Sequence, residues 1–212
     1  MKTRLITMYS PEWQDLANVV MPNLFKYCDR HDYGLTVKVI PAAYDFRKIK
    51  LILAALYAGE DLVLYMDADT YITNHNVKVE GFVDDDHDFY IAQDINEVNA
   101  GVLLVKNTDW SKWFLRFILS MADSYSNEQN VIEAGKDHSK IKILPHPSIN
   151  SYMYDEYAPT WGLIPGWKPT TGSSDKPTHE QGDWRKGDFL LHMPGLPNKR
   201  RIDIIHLLKN LK

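Results

Sequence analysis

The sequence predicts one α/β domain with a mixed, mostly parallel central sheet flanked by helices, and three observations carry that expectation. An apolar run, a set of helix-spaced apolar residues and a second apolar run follow one another over residues 5–40. This is the strand, helix, strand order of a parallel crossover unit. A third run, Leu62-Val63-Leu64-Tyr65-Met66, is apolar throughout, as in a strand covered on both faces. It stops on Asp67-Ala68-Asp69, so two carboxylates emerge at the strand's carboxyl end, where open α/β sheets bind ligands.

Residues 5–8 form a short apolar strand broken by Tyr9-Ser10-Pro11, with Ser10 at a helix-cap position and Pro11 at the first helical position. Trp13, Leu16, Val20, Leu24 and Tyr27 recur at helical spacing after it, and Pro22 predicts a kink or a break. Gly34 leads into a second strand over 35–40, where Thr36 and Lys38 alternate with apolar neighbours. Phe46, Ile49, Leu53 and Leu56 mark one stripe of a helix over 46–57, with Gly59 placed to end it. The apolar strand over 62–66 comes next. Beyond Thr73, Asn74-His75-Asn76 and Asp84-Asp85-Asp86 flank a turn and half-helix, and the acidic trio reads as a solvated face.

Strands are expected over 88–94 and 101–105. Asp109 is placed to cap a helix whose stripe is Trp113, Phe114, Phe117, Ile118 and Met121, aromatics that read as core. A short helix over 128–134 and a strand over 141–144 follow, ending in Pro145-His146-Pro147. Residues 148–187, weak in periodicity and rich in Tyr, Trp, Gly and Pro, read as a long loop region of the kind that tends to be functional. Residues 189–191 close the sheet, and Ile202, Ile205, His206, Leu208 and Lys209 mark a terminal helix.

The 212 residues suffice for one domain over 1–212, either a protein in itself or one domain of a longer parent chain. A net charge of −4 gives no field that would gather nucleic acid, so no nucleic-acid partner is expected. Cys28, the single cysteine, leaves no internal disulfide, fits a reducing compartment and reads as a packed apolar side chain. No run reaches the roughly 18 apolar residues of a membrane span, and the amino terminus lacks the apolar content of a signal peptide. The expectation is a soluble, cytoplasmic monomer.

Two anionic oxygens one residue apart are the hard ligands that Mn²⁺ or Mg²⁺ selects, which makes Asp67 and Asp69 candidate metal ligands. A solvated turn is the plainer account of a bare Asp-x-Asp. Gln93-Asp94-Ile95-Asn96-Glu97-Val98-Asn99-Ala100-Gly101 packs polar side chains into one strand connection that either clamps vicinal hydroxyls or closes a turn at Asn99 and Gly101. In Leu191-His192-Met193-Pro194-Gly195 a strand ends on a histidine before a Gly/Pro loop leading to Lys199 and two arginines. His192 is then either structural or completes the metal site while the loop and Lys199 hold phosphate. Asn127-Glu128-Gln129-Asn130 places polar groups at a helix start, where ordinary capping is the competing account.

Together these residues resemble the metal-dependent GT-A glycosyltransferases, most closely the retaining galactosyl-, mannosyl- and xylosyltransferases of the Golgi type. The apolar strand with Asp67-Ala68-Asp69, the run from Gln93 to Gly101 with its following apolar strand and Asn107, Glu128-Gln129, and His192-x-x-Gly195 with a downstream lysine come in that family's order. They span residues 5–200. The compact chain is similar to the virus-encoded glycan-building enzymes of chlorella viruses, which for a viral source implies the host cytoplasm.

The resemblance implies a single GT-A, Rossmann-like domain that moves a sugar from a nucleotide-diphosphate donor, a UDP-sugar, to a glycan hydroxyl with retention of anomeric configuration. It implies Mn²⁺ (or Mg²⁺) on Asp67, Asp69 and His192, with Ala68 inside the motif. Thr7 and Tyr9 would contact the nucleoside, with Asp45 and Lys48 near the base or phosphates. Gln93, Asp94, Asn96 and Asn99 would hold the donor sugar or the acceptor, Glu128 and Gln129 would line the reacting face, and Gly195 with Lys199 would steady the departing diphosphate. Lys199 lies seven residues after His192, further than the family pattern leads one to expect. Retention leaves two routes, attack by a carboxylate such as Glu128 or Asp94 from the far face, or same-face attack of the acceptor. Closure of 148–187 over the donor would exclude water.

Two other readings compete. A haloacid-dehalogenase-type phosphatase also ends a strand on Asp-x-Asp, but it needs Thr or Val where this chain has Tyr71, and its nucleophile lies on the first strand. The second is a noncatalytic glycan-binding or nucleotide-sugar-binding module that keeps the fold without turnover.

Overall fold

The computed structural model describes residues 1–41, 46–94, 97–152, 180 and 182–210. β1 (Thr3–Tyr9) passes through a 3-10 turn (Pro11–Trp13) into α1 (Gln14–His31), and β2 (Gly34–Val39) returns parallel to β1 with Leu5 opposite Leu35. α2 (Arg47–Tyr57) then leads to β3 (Leu62–Met66), parallel to β1 on its other side. Gly59, at φ +87°, ends α2 in the left-handed conformation that a side chain disfavours.

A short β4 (Thr70–Ile72) leaves the sheet, and β5 (Phe89–Asp94) and β6 (Glu97–Lys106) form a hairpin beside β3. After α3 (Asp109–Ser120) and α4 (Glu128–Ala134), β7 (Ile141–Leu144) adds to the far edge, parallel to β5. α5 (His146–Ile149), β8 (Ser151–Tyr152), β9 (Leu190–His192) and α6 (Asn198–Asn210) complete the described chain. The central sheet has the order β2-β1-β3-β6-β5-β7, in which β6 alone runs against the rest.

Successive side chains on a strand point to opposite faces, and the core divides accordingly. Leu62, Leu64 and Met66 pack with Leu16, Val20 and Leu24 of α1 and Ile204, Ile205 and Leu208 of α6. Val63 and Tyr65 pack on the other face with Ile49 and Ile52 of α2, Phe114 and Ile118 of α3 and Ile132 of α4. The apolar run at 62–66 is thus the middle layer of a helix, sheet, helix sandwich.

Several expectations are corrected. Pro22 lies inside the 18-residue α1 without ending it. Burial of Leu16, Val20, Leu24 and Tyr27 offsets the lost hydrogen bond and ring clash, which cost about 3 kcal/mol. Thr108, not Asp109, caps α3: its Oγ1 accepts from Ser111 N at 3.1 Å. Of the expected stripe of α3, Phe114 and Ile118 are buried, with Ser111 and Leu115 beside them, but Trp113 and Phe117 are 50% and 40% exposed. Ile52 and Ala55 join the buried stripe of α2, where Leu53 is only partly covered.

The strand expected over 101–105 begins four residues earlier, at Glu97. The strand expected to close the sheet does not join it: β9 pairs with β4 and β8 in a separate three-stranded sheet. Within the acidic trio, Asp85 and Asp86 are exposed, but Asp84 is half-buried and accepts from His87 and from Lys142 Nζ at 2.6 Å. Of the long loop, residues 153–179 and 181 lie outside the described residues, while Ser151–Tyr152 forms β8. No helix among the described residues is long and apolar enough to cross a membrane.

Candidate active site

At the carboxyl end of β3 the Asp67 N–H donates to the Gly101 carbonyl of β6 at 2.7 Å, and the Asp67 carbonyl accepts from Thr70 N and Thr70 Oγ1 at 3.1 and 2.7 Å. Asp67-Ala68-Asp69 is therefore a tight corner between β3 and β4. β4 pairs antiparallel with β9, Thr70 opposite His192, and Met193 N donates to the Asp69 carbonyl at 2.9 Å. That pairing carries His192 to the aspartates. Its Nε2 lies 3.4 Å from Asp69 Oδ1, and one ligand atom from each of Asp67, Asp69 and His192 falls within 4.8 Å of the others.

Asn150 orients the imidazole. Its amide nitrogen donates to the Gln93 carbonyl at 3.4 Å and to Tyr152 OH at 2.7 Å, which turns its oxygen to His192 Nδ1 at 2.7 Å. An oxygen acceptor there requires the proton on Nδ1, so Nε2 is the nitrogen presented to Asp69.

Each aspartate has a buried cation. Lys48 of α2 lies 3.3 Å from Asp67 and 2.8 Å from Glu128, and donates to the Ala100 carbonyl at 3.1 Å. Arg201 of α6 donates to Asp69 Oδ2 at 2.9 Å, to the Met193 carbonyl at 2.9 Å and to Asn198, and stacks over Trp13. Burial pushes the Asp67 carboxyl up, with Lys48 opposing it. For Asp69 burial acts in the same sense, but His192 and Arg201 outweigh it and hold the carboxyl below its ordinary range. Burial works against the charge of Lys48, yet Asp67 and Glu128 together raise its pKa. Tyr65, which donates to Asp67 Oδ1 at 2.8 Å, is held protonated far into alkali by burial and by that carboxylate.

A cavity of about 590 Å³ opens over this cluster. Tyr9, Ser10 and Trp13 line one wall, Asn99, Ala100, Gly101 and residues 126–129 another, and Pro194, Gly195, Leu196 and Arg201 a third. Gly101 leaves room for the histidine, since a Cβ there would sit 2.5 Å from His192 Cε1.

The family described as "Protein of unknown function, DUF273" matches residues 20–155, more than half of the chain. The chain belongs to the DUF273 family. Over 112 residues it is 28% identical to an uncharacterized alpha-1,2-galactosyltransferase of Schizosaccharomyces pombe, a match covering 45% of this chain and 29% of that protein. The DUF273 chain thus spans under a third of that relative's length. Among solved structures it is similar to a glycosyltransferase involved in glycosylating the major capsid of PBCV-1, with a TM-score of 0.72 at 14% identity, covering 98% of this chain and all of the other. It is also similar to the galactosyltransferase LgtC solved with donor and acceptor sugar analogues, with a TM-score of 0.53 at 11% identity, covering 96% and 95%. At these identities the likeness shows the fold, which is GT-A.

The DUF273 chain brings Tyr9, Lys48, Asp67, Ala68, Asp69, Asn99, Glu128, Gln129, His192 and Gly195 to one cavity. It does not bring Thr7, which is fully buried within β1, or Gln93, which is exposed. Asp94 ends β5 opposite Glu97, and Asp45 and Asn96 lie outside the described residues. Lys199 is exposed on α6 and lines no part of this cavity; the α6 cation that reaches it, together with Lys48 of α2, is Arg201. The signal for Arg201 was helical spacing: it shares the buried stripe of Ile204, Ile205 and Leu208, three, four and seven positions on, whereas Lys199 faces outward. Asn150 carried no local signal, because its role depends on β8, which follows it, pairing with β9.

Proposed function

We propose that this chain is a metal-dependent glycosyltransferase that moves a sugar from a nucleotide-diphosphate donor, a UDP-sugar, to a hydroxyl of a glycan acceptor with retention of configuration. One observation carries this reading: His192 Nε2 and Asp69 Oδ1 face each other at 3.4 Å beside Asp67 in the floor of a GT-A cavity. With Nδ1 donating to Asn150, Nε2 is the ring nitrogen that faces the Asp69 carboxylate: with a proton it pairs with that carboxylate, and without one the two are acceptors placed for a shared cation. Two carboxylates and an imidazole fit Mn²⁺, or Mg²⁺ with water completing the set. Asp67, Asp69 and His192 would hold it, and its chemistry would be neutralisation of the negative charge that builds on the diphosphate as the sugar departs.

The chain's own residues supply the rest. Arg201 and Lys48 hold the two aspartates in place, which fixes the donor's diphosphate end against the floor. Glu128, gripped by Lys48 at 2.8 Å, presents a carboxylate on the wall where positive charge on the sugar ring is stabilised. Gln129 Oε1 accepts from Ala100 N at 3.0 Å and Asn99 Oδ1 from Gly101 N at 2.8 Å, which stiffens the edge that faces the donor sugar. Tyr9 and Trp13 offer flat apolar walls to the nucleoside.

A thermal-shift panel of nucleotide sugars with and without Mn²⁺, followed by assay of nucleoside-diphosphate release, tests the proposal. A UDP-sugar should stabilise the protein only with the metal, by about 2.7 kcal/mol at one hundred times its dissociation constant. Asp69→Ala should abolish both stabilisation and release. Binding without release, with every acceptor tried, would make the chain a binding module instead.

A further inference from the structure

A second cavity, of about 670 Å³, opens between α1, residues 71–76, residues 184–187 and the end of α6. Lys26, Arg30, Lys186 and Lys209 line it, and among the described residues no carboxylate does. Nor does a described carboxylate pair with any of the four elsewhere; Arg30 donates to the Asn76 amide oxygen. In a chain of net charge −4, four cations gathered without a counter-charge among the described residues create a local potential that favours an anion.

The walls narrow the class of anion. Trp184 Nε1 donates to Thr73 Oγ1 at 3.1 Å, which anchors a half-buried indole against the cavity, and Tyr71 adds a second aromatic surface. Fixed aromatic faces among amide, hydroxyl and cationic groups suit a ring that is apolar on its face and polar at its rim.

We propose that this cavity binds an acidic saccharide, a sugar chain bearing carboxylate, sulfate or phosphate groups, apart from the site of sugar transfer. The preference for an anion rests on the lining; the choice of a saccharide among anions rests on the transferase reading. The two cavities share elements, since Asp69 and Arg201 line the first and Tyr71 and Lys209 the second.

Binding of fluorescently labelled hexasaccharides to the full chain tests this, with an oligogalacturonate and a sulfated hexasaccharide set against neutral maltohexaose and inorganic phosphate. The acidic sugars should bind about tenfold tighter than the neutral one and weaken as salt is raised. Lys26→Glu with Arg30→Glu should lower that affinity about tenfold, leaving the melting temperature and Mn²⁺-dependent nucleoside-diphosphate release unchanged. Lys186→Glu with Lys209→Glu repeats the test from the opposite wall should the first pair misfold.

Equal binding of neutral and acidic sugars, no saccharide binding, or acidic binding that survives both charge reversals would overturn the proposal. So would inorganic phosphate binding as tightly as the hexasaccharides, or anionic vesicles binding through these lysines where saccharides do not. Failure of donor turnover in the unaltered protein would count against the transferase reading and leave these isotherms to decide the anion site separately.

Discussion

Arg201 Nη2 lies 2.9 Å from Asp69 Oδ2, joining residues 132 positions apart in a buried ion pair at the edge of the candidate metal cluster. Lys199, two residues earlier, faces solvent. Removing one partner of a buried pair leaves the other charge uncompensated, at a cost of about 3–5 kcal/mol, whereas an exposed lysine is worth about 0.5 kcal/mol or less. Arg201→Ala should therefore lower urea-unfolding stability by about 3 kcal/mol, and Lys199→Ala should leave it nearly unchanged. Equal losses in the two variants would remove Arg201 from the role given to it.

Gly101→Ala tests the space beside the imidazole. The added methyl would sit 2.5 Å from His192 Cε1 and 2.8 Å from Asn99 Oδ1, and both side chains are held by hydrogen bonds. Overpacking of this kind costs about 1–3 kcal/mol. Because His192 has to yield, the variant should also lose most of its Mn²⁺-dependent rise in melting temperature. Full metal stabilisation in Gly101→Ala would place His192 outside the metal set.

The order of elements was legible because burial on both faces left Leu62-Val63-Leu64-Tyr65-Met66 uniformly apolar, and the helices before it kept clear stripes. The aspartates were legible as the abrupt end of that run. What sequence spacing hid was pairing at long range. Residues 190–192 look like one more strand of the main sheet, yet they pair with β4, and it is this departure that brings His192 to Asp69. The cation was misassigned for a related reason: Lys199, Arg200 and Arg201 are alike in composition and differ only in which helix face they occupy. Trp113 and Phe117 misled in the opposite sense, since apolar character alone does not say that a partner covers it.

Burial also sets the response to alkali. The Cys28 thiol is pushed from its ordinary 9.0 up to about 12 by burial, with the Arg4 charge opposing, and the Tyr90 phenol from 10.0 up to about 12, again mainly by burial. The unfolded chain then releases these protons at lower pH than the folded one. Their contribution to stability is fully present below about pH 9 and is lost as the pH climbs toward 12. Urea midpoints should fall over that window, by less in Cys28→Ala after correction for its lower starting stability. A thiol reagent at pH 8 should label Cys28 only as the protein unfolds; rapid labelling of the native protein would contradict the packing around it.

Asn150 decides whether the imidazole is presented as a ligand. It is fully buried, and its oxygen takes the Nδ1 proton of His192 at 2.7 Å. Asn150→Ala removes that acceptor and frees the ring to change tautomer or rotate. Loss of such an outer partner weakens metal affinity by about ten- to a hundredfold, which calorimetric titration with Mn²⁺ would measure directly. Asn150→Asp restores an oxygen to Nδ1 and should recover most of the affinity, because the proton is again held on the side away from Asp69. If alanine and aspartate variants bind Mn²⁺ as the unaltered chain does, His192 contributes no ligand atom and the metal set reduces to the two aspartates.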